Sequence, residues 1–363
     1  MGRPRDRTFT TIIQLEMNTK QFTYASARVR ALETKLLNLP EVERILGASS
    51  AKDAYKILND LDYSTHIGDI NNISDFQVVV DAGLEDTKTL IAQICPDSKI
   101  LDLLFISFDF HNIKTILKGS LNGNDRDSIE SQLLSFGMIP KETILSFMLD
   151  EDKPLLSIPT EYIQIILAGI ERAKKSYKAQ NNDPRLIDLI LDQTQMELLA
   201  QIAESTRNKF ISDFVKAFID LSNIKAFIRV KMLKQEDYVE EMNENILFAE
   251  GGVLKPSHFL SKMDADTATL INMFRGTNYS SVVSHGIEAF EKHKSFVYLE
   301  KYANDYLLGL AKKSKFIPFG PEALIAYFFA KQNNAQIIRM IMVGKLNHIE
   351  QDLLRERLNT LYV

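Results

Sequence analysis

The sequence has little of what metal-binding, secreted and membrane-spanning proteins depend on. Its 363 residues include one cysteine, Cys95, and no tryptophan. A single thiol allows no disulfide framework and supplies too few ligands for a cysteine-bound metal, so we expect a reducing compartment. No apolar run approaches the roughly 18 residues that a membrane span needs. The opening letters MGRPRDR have no apolar stretch behind them, so we expect residues 1–20 to be a flexible leader and not a secretory signal.

Motifs that cradle phosphate or activate water are missing as well. The sequence has no GxxxxGK, and its six histidines form no HExxH. His285 and Glu288 lie three apart on a predicted helix, as many surface pairs do, which favours a solvated face over a metal or acid–base site. Cys95 has no histidine or basic flank to lower its pKa, so an inert buried thiol is expected. We therefore predict no catalytic, cofactor-binding or metal-binding residue.

The composition is that of an ordinary globular protein. Hydrophobic residues make up 45% of the chain and charged residues 25%, which is ample for a buried core. The length favours two to three domains. A formal net charge of -5 argues against nucleic acid as the main partner.

Helical periodicity extends along almost the whole chain and is clearest in residues 319–358. Pro321 suits the start of a helix, and apolar residues then recur every three or four positions in a wide stripe up to Gly344, the predicted stop. A second helix from Leu346 to Leu358 completes a predicted hairpin. The valines at 78–80 are the best strand candidate, but they lie alone between helical segments, which favours a buried helix. The sequence predicts an all-α fold.

One segment of this pattern recurs three times. Residues 109–119 read DFHNIKTILKG, residues 220–229 read DLSNIKAFIR, and aligning Lys114, Lys225 and Arg339 gives spacings of 111 and 114 residues. An isoleucine precedes each basic residue, and the first two copies share Asp-x-x-Asn. Such spacing indicates stacked modules of domain size. With a turn-rich boundary at residues 121–127, we predict modules at 21–122, 123–234 and 235–363. The role of the three basic residues is unknown at this point.

Three segments resemble a known family. They are YASARVRALE at residues 24–33, FGPEALIAYFFAK at 319–331 and IIRMIMVGK at 337–345. They are similar to the C subunit of V/A-type rotary ATPases and ATP synthases, the counterpart of the eukaryotic d subunit. The resemblance runs from about residue 24 to the end and is loose in the middle. The chain departs from the family pattern where an acidic residue is expected shortly before Ile338 and Arg339, which puts a local ion pair for Arg339 in doubt.

The resemblance implies a fold and a role. Three similar helical bundles would surround a pseudo-threefold axis and form a funnel on the cytoplasmic face of the membrane rotor ring. The chain would join the central-stalk subunits to the proteolipid ring, held at the membrane through protein contacts alone. It would be a non-catalytic subunit without a cofactor that couples ATP hydrolysis or synthesis to H⁺ or Na⁺ transport.

Two other hypotheses stay open at this stage. An unrelated helical-repeat scaffold would share the periodicity but would not assemble with a proteolipid ring, so co-purification separates it from a rotor subunit. A helical enzyme using His285, Glu288 or a carboxylate pair would need a substrate pocket and perturbed pKa values, which a structure can test.

Overall fold

The computed structural model describes residues 20–58, 61, 76–235 and 247–363, and within them every regular element is a helix. The all-α prediction is confirmed, whereas the predicted leader lies outside the described residues apart from Lys20. Short 3₁₀ turns occupy Glu33–Lys35 and Lys313–Phe316. The α-helices are α1 (Thr23–Leu32), α2 (Leu39–Leu46), α3 (Ala51–Leu58), α4 (Phe76–Ile94), α5 (Ser98–Leu121), α6 (Arg126–Glu130), α7 (Lys141–Leu149), α8 (Thr160–Ala179), α9 (Arg185–Thr206), α10 (Lys209–Gln235), α11 (Pro256–Leu260), α12 (Thr267–Phe274), α13 (Ser280–His293), α14 (Val297–Lys312), α15 (Glu322–Leu346) and α16 (Gln351–Arg357).

Local signals explain several helix ends. Asn38 and Glu41 form a reciprocal capping box at the start of α2, in which each side chain bonds the other residue's backbone amide. The predicted boundary at residues 121–127 is a turn in which Gly123 takes a positive φ of 74° and the Asp125 side chain caps α6. The valines at 78–80 lie inside α4, with Val79 and Val80 buried, as the helical interpretation predicted.

One compact unit is formed by the described parts of residues 1–100 together with residues 304–363. Its central element is α15, which packs against α1, α3, α4 and α16. Residues on nearly every side of α15 are buried, including Lys331, Asn333 and Asn334. The predicted stripe is therefore too narrow, because neighbours on several sides cover this helix.

The predicted ends of the last two helices were wrong. Gly344 does not stop α15, which continues to Leu346; a Cβ at Gly344 would lie 2.3 Å from a methyl carbon of Leu354, so glycine here permits close packing of α16. The last helix is also shorter than predicted, since α16 begins only at Gln351. Leu354 and Leu358 are buried as expected, whereas Leu346 is exposed.

The other compact unit comprises residues 101–303, and its described part holds most of α5, all of α6 to α13 and the start of α14. The long helices α8, α9 and α10 pack in sequence, with α9 between the other two. An aromatic cluster of Phe227, Phe248 and Phe259 fills part of the core, with ring centroids 4.9 to 6.1 Å apart. This unit carries two of the three repeat copies, in α5 and α10.

Candidate functional site

Each of the three aligned basic residues forms an ion pair with an acid on another long helix. Lys114 Nζ in α5 lies 2.6 Å from Asp192 Oδ1 in α9. Lys225 Nζ in α10 lies 2.8 Å from Glu300 Oε2 in α14. In the other unit, Arg339 Nη2 in α15 lies 2.5 Å from Asp81 Oδ1 in α4. The structure does not gather the three basic residues around one partner; it gives each residue its own acid.

The contacts continue one helical turn away from each pair. Lys118, four residues after Lys114, bonds Asp188 at 2.8 Å, which lies four residues before Asp192. Arg229, four residues after Lys225, shares Glu300 and lies over the ring of Phe296, 5.8 Å from its centroid.

In the third pair, the guanidinium of Arg339 also makes the contact that lies one helical turn away. Its Nε donates to the side chain of Gln77 at 3.0 Å, and Gln77 lies four residues before Asp81. Each of the three helix contacts thus contains two polar contacts one helical turn apart, and we call each such set an ion-pair ladder.

The acids of these pairs were missed at the sequence level, although the sequence contains a signal for them. Asp81 and Asp192 each stand 33 residues before the basic residue of the same predicted module, Lys114 and Lys225. Glu300 precedes Arg339 by 39 residues, so a search at constant offset would have found only two of the three acids. The doubt about Arg339 was justified for a local acid, because its partner comes from a helix more than 250 residues earlier.

The ion pairs orient these helices more than they stabilise them. The Lys114 side chain is 19% exposed and that of Lys225 is 23% exposed, and their acidic partners are more accessible. Pairs that remain in contact with solvent contribute about 0.5–1 kcal/mol each, and salt screens them. Most of the binding energy between the helices comes from the buried face beside each pair, where Ile113, Ile224 and Ile338 are all at most 1% exposed.

The Asp-x-x-Asn motif of the first two copies forms hydrogen bonds to the backbone of the segment that follows each long helix. Buried Asp109 accepts backbone N–H bonds from Met138 and Ile139, and buried Asp220 accepts them from Val253 and Leu254, all within 2.9 to 3.1 Å.

The asparagine of the motif acts in the same way. The Asn112 amide both donates to and accepts from the backbone of Leu134 at 2.9 Å, and Asn223 does the same with Ala249. A side-chain amide that donates one bond and accepts another pairs with both the N–H and the C=O of one residue, as a neighbouring β-strand would. The two copies are therefore equivalent in contacts as well as in sequence.

A glycine fits tightly against each buried carboxylate. A Cβ added at Gly137 or at Gly252 would lie 2.1 Å from an oxygen of Asp109 or Asp220, respectively. Asp220 also accepts a hydrogen bond from the Tyr279 hydroxyl at 2.7 Å. Burial raises the pKa of Asp220 above its ordinary value, while its hydrogen bonds oppose that rise. Both carboxylates therefore accept bonds that hold neighbouring backbone in place.

The third copy is built differently. Asn334 stands where the other copies have Asp109 and Asp220, and in the orientation that satisfies both of its groups its amide donates to Ala330 O and accepts from Leu37 N at 2.8 Å. The neighbouring Asn333 donates to Thr360 O at 2.8 Å and so fastens the chain after α16.

Of the residues weighed for chemistry, Cys95 is half-buried, whereas His285 and Glu288 are exposed. Burial raises the pKa of Cys95 to about 11, so its thiolate is scarce at neutral pH. His285 contacts the Ser281 hydroxyl at 3.1 Å and the ring of Tyr302. In the described ranges, no group of three or more His, Cys, Asp and Glu side chains is arranged to hold a metal ion.

A cavity of about 230 Å³ lies between α9 and α10 and is bordered by Asp192, Lys225 and Arg229. The charges on its walls are neutralised within the protein, because Asp192 pairs with Lys114 and both cations pair with Glu300. This arrangement suits the joining of helices better than the binding of a charged substrate.

Comparison with known families supplies the identification. The family model described as ATP synthase (C/AC39) subunit matches residues 25–357, which extends from α1 to the end of α16. The chain belongs to the ATP synthase (C/AC39) subunit family. The resemblance to the C subunit of V/A-type rotary ATPases is thereby confirmed, and it includes the middle of the chain.

Similar proteins within this family come from archaea and bacteria. The C subunit of the A-type ATP synthase of Methanocaldococcus jannaschii is 25% identical, with 96% of this chain and 89% of that protein covered. The C subunit of the V-type sodium ATPase of Enterococcus hirae is 22% identical, with 92% of this chain and 97% of that protein covered. The C subunit of the A-type ATP synthase of Pyrococcus abyssi is 24% identical over 88% of this chain and 85% of its own length. In the part of this family member that the structure describes, no helix is both long and apolar enough to cross a membrane.

Proposed function

We propose that this chain is the non-catalytic rotor adaptor of a V/A-type ATPase or ATP synthase. It joins the central-stalk subunits to the membrane proteolipid ring, so that ATP hydrolysis or synthesis is coupled to the transport of H⁺ or Na⁺. It acts on the cytoplasmic face of the membrane and is held there through protein contacts. The observation that carries this proposal is the family match over residues 25–357, to relatives named as subunits of ion-translocating ATPases and ATP synthases.

The architecture that we propose for this role is three modules, at residues 21–122, 123–234 and 235–363, around a pseudo-threefold axis. Its support is the order of the ion pairs. Lys114 joins the first module to the second, Lys225 joins the second to the third, and Arg339 joins the third to the first. A cyclic order of this kind is what a funnel of three equivalent bundles requires.

The ion-pair ladders also suit the transmission of torque. A rotor adaptor receives force at one end and delivers it at the other, so its helices must not slide along one another. Polar contacts at two levels of each helix contact resist sliding, because a shift by one turn would remove at least one of the two contacts. We propose this as the role of Lys114, Lys225 and Arg339.

The test compares ATP hydrolysis and ion transport in complexes assembled with and without this chain. Without it, we expect the catalytic head to keep its ATPase activity while ion transport is lost, since the stalk would turn without a hold on the ring. Transport at normal coupling in its absence would reject the proposal and favour a scaffold role.

A sharper version changes only the ladders. The triple variant Lys114→Met, Lys225→Met, Arg339→Met should assemble but transport fewer ions for each ATP hydrolysed than the unaltered complex. A matched control replaces the exposed Lys175, Lys178 and Lys262 by methionine and should leave the ratio unchanged. An equal ratio in the two triple variants would remove the ladders from the mechanism and leave the adaptor role itself to the first experiment.

A further inference from the structure

Residues 312–319 form a surface segment that combines positive charge with exposed aromatic rings, and we name it the basic-aromatic loop. Its sequence KKSKFIPF contains three lysines and no acid. Phe316 is 88% exposed and Phe319 is 48% exposed, although most large apolar side chains in the described residues are covered. Lys313 and Lys315 are exposed beside them. Removing the rings of Phe316 and Phe319 from water would therefore be favourable.

The loop is fixed at its base, so the exposure of its rings is not the result of a loose segment. The Arg30 guanidinium of α1 donates to the carbonyl oxygen of Ser314. Lys315 Nζ donates to the Tyr362 carbonyl at 3.0 Å and lies 4.5 Å from the centre of the Tyr362 ring. The Gly320 amide donates to the Ser26 hydroxyl at 3.2 Å. Bonds on both sides of Phe316 thus hold the backbone while the ring stays in solvent.

We propose that the basic-aromatic loop binds an anionic lipid surface. Lysines are attracted to the negative potential of anionic headgroups, and the transfer of an aromatic ring from water into the headgroup region is favourable. The shape favours lipid over a protein partner, because the rings protrude instead of lining a groove, and a protein would need a matching pocket. Asp305, which lies close to Lys312, offsets part of the charge at that end, so Lys313 and Lys315 supply most of the attraction.

This inference goes beyond the proposed rotor function, which attaches the chain to the membrane sector through protein contacts. It adds a direct contact with lipid, and it does not depend on the rotor function. The test therefore uses the full chain by itself, without stalk or ring subunits.

The experiment measures sedimentation of the full chain with vesicles of phosphatidylcholine, with and without added phosphatidylglycerol. We expect binding to the anionic vesicles at low salt, little binding to the neutral ones, and loss of binding at high salt. Phe316→Ser should weaken binding by about tenfold, since it removes a large apolar side chain from the contact. Lys313→Glu should weaken it by about fivefold or more.

Matched controls come from the other compact unit. Leu155 is 96% exposed, and Leu155→Ser removes a comparable apolar side chain outside the loop. Lys175→Glu makes the same charge change as Lys313→Glu at another exposed site. Both controls should bind like the unaltered chain. Absence of binding to anionic vesicles, or equal losses in the controls, would overturn the proposal. So would a Phe316→Ser variant that binds vesicles normally but fails to join purified stalk or ring subunits, because the loop would then be a protein interface.

Discussion

The two repeat copies in residues 101–303 and the third copy in α15 share a core isoleucine and an outward ion pair, but they fasten the following chain differently. In α5 and α10, a buried aspartate and an asparagine bind the backbone of the next loop, and a glycine makes room for the carboxylate. In α15, two adjacent asparagines do the corresponding work and bind Leu37 and Thr360.

The difference follows from what comes next in the chain. After α5 and α10 the chain continues through a connecting segment into further helices, and a carboxylate that accepts two backbone amide bonds fixes the start of that segment. After α15 it forms α16 and returns along the same helix. The features that all three copies share therefore form contacts between helices, whereas the features found in only two copies hold the segments that connect helices.

The largest effect is expected from breaking what all three copies share. Ile338 is fully buried, so Ile338→Asp would place an unpaired charge in the core and destabilise the protein by about 4 kcal/mol or more. Glu356→Gln on the exposed face of α16 is the control and should change little. Thermal and urea unfolding of both variants measure the effect. Equal melting temperatures would show that the shared isoleucine does not support the core.

An intermediate effect is expected from the part that only two copies have. Gly252→Ala would force a methyl group against the Asp220 carboxylate and should destabilise by about 2 kcal/mol. Gly137→Ala should behave alike, because the Asp109 contact has the same length. Gly309→Ala is the control: apart from its chain neighbours and the backbone of its own helix, no atom lies within 4 Å of its added Cβ, and alanine is the better helix former. Urea unfolding checks all three, and a loss at only one of Gly137 and Gly252 would break the equivalence of the two connections.

The smallest effect is expected at the ion pairs. A double-mutant cycle with Lys114→Met and Asp192→Asn should give a coupling energy of about 0.5–1 kcal/mol that falls with added salt. The cycle with Arg339→Met and Asp81→Asn should give a similar value, since the third copy keeps its pair. The exposed pair of Lys209 and Asp213 provides a reference with weaker coupling. Coupling in one cycle but not in the other would separate the third copy from the first two.

The sequence by itself determined the all-α fold, the inward position of Ile113, Ile224 and Ile338, and the resemblance to the family. Helical periodicity follows from local geometry, and the buried face of each helix follows from where its apolar residues recur. The proline starts and the turn at residues 121–127 were predictable for the same reason: backbone preferences act within a few residues. The aligned positions of Lys114, Lys225 and Arg339 were also visible.

Only the tertiary structure decided what these positions do. Their partners Asp192, Glu300 and Asp81 are 75 or more residues away in the chain, and a charge on a helix face does not reveal which distant helix it meets. The burial of α15 on several sides was decided in the same way, because neighbours cover residues that its own sequence presents as polar. Gly344 shows the limit of local rules most directly. A glycine near a helix end predicts a stop, but here close packing against Leu354 fixed its role, and packing depends on the whole fold.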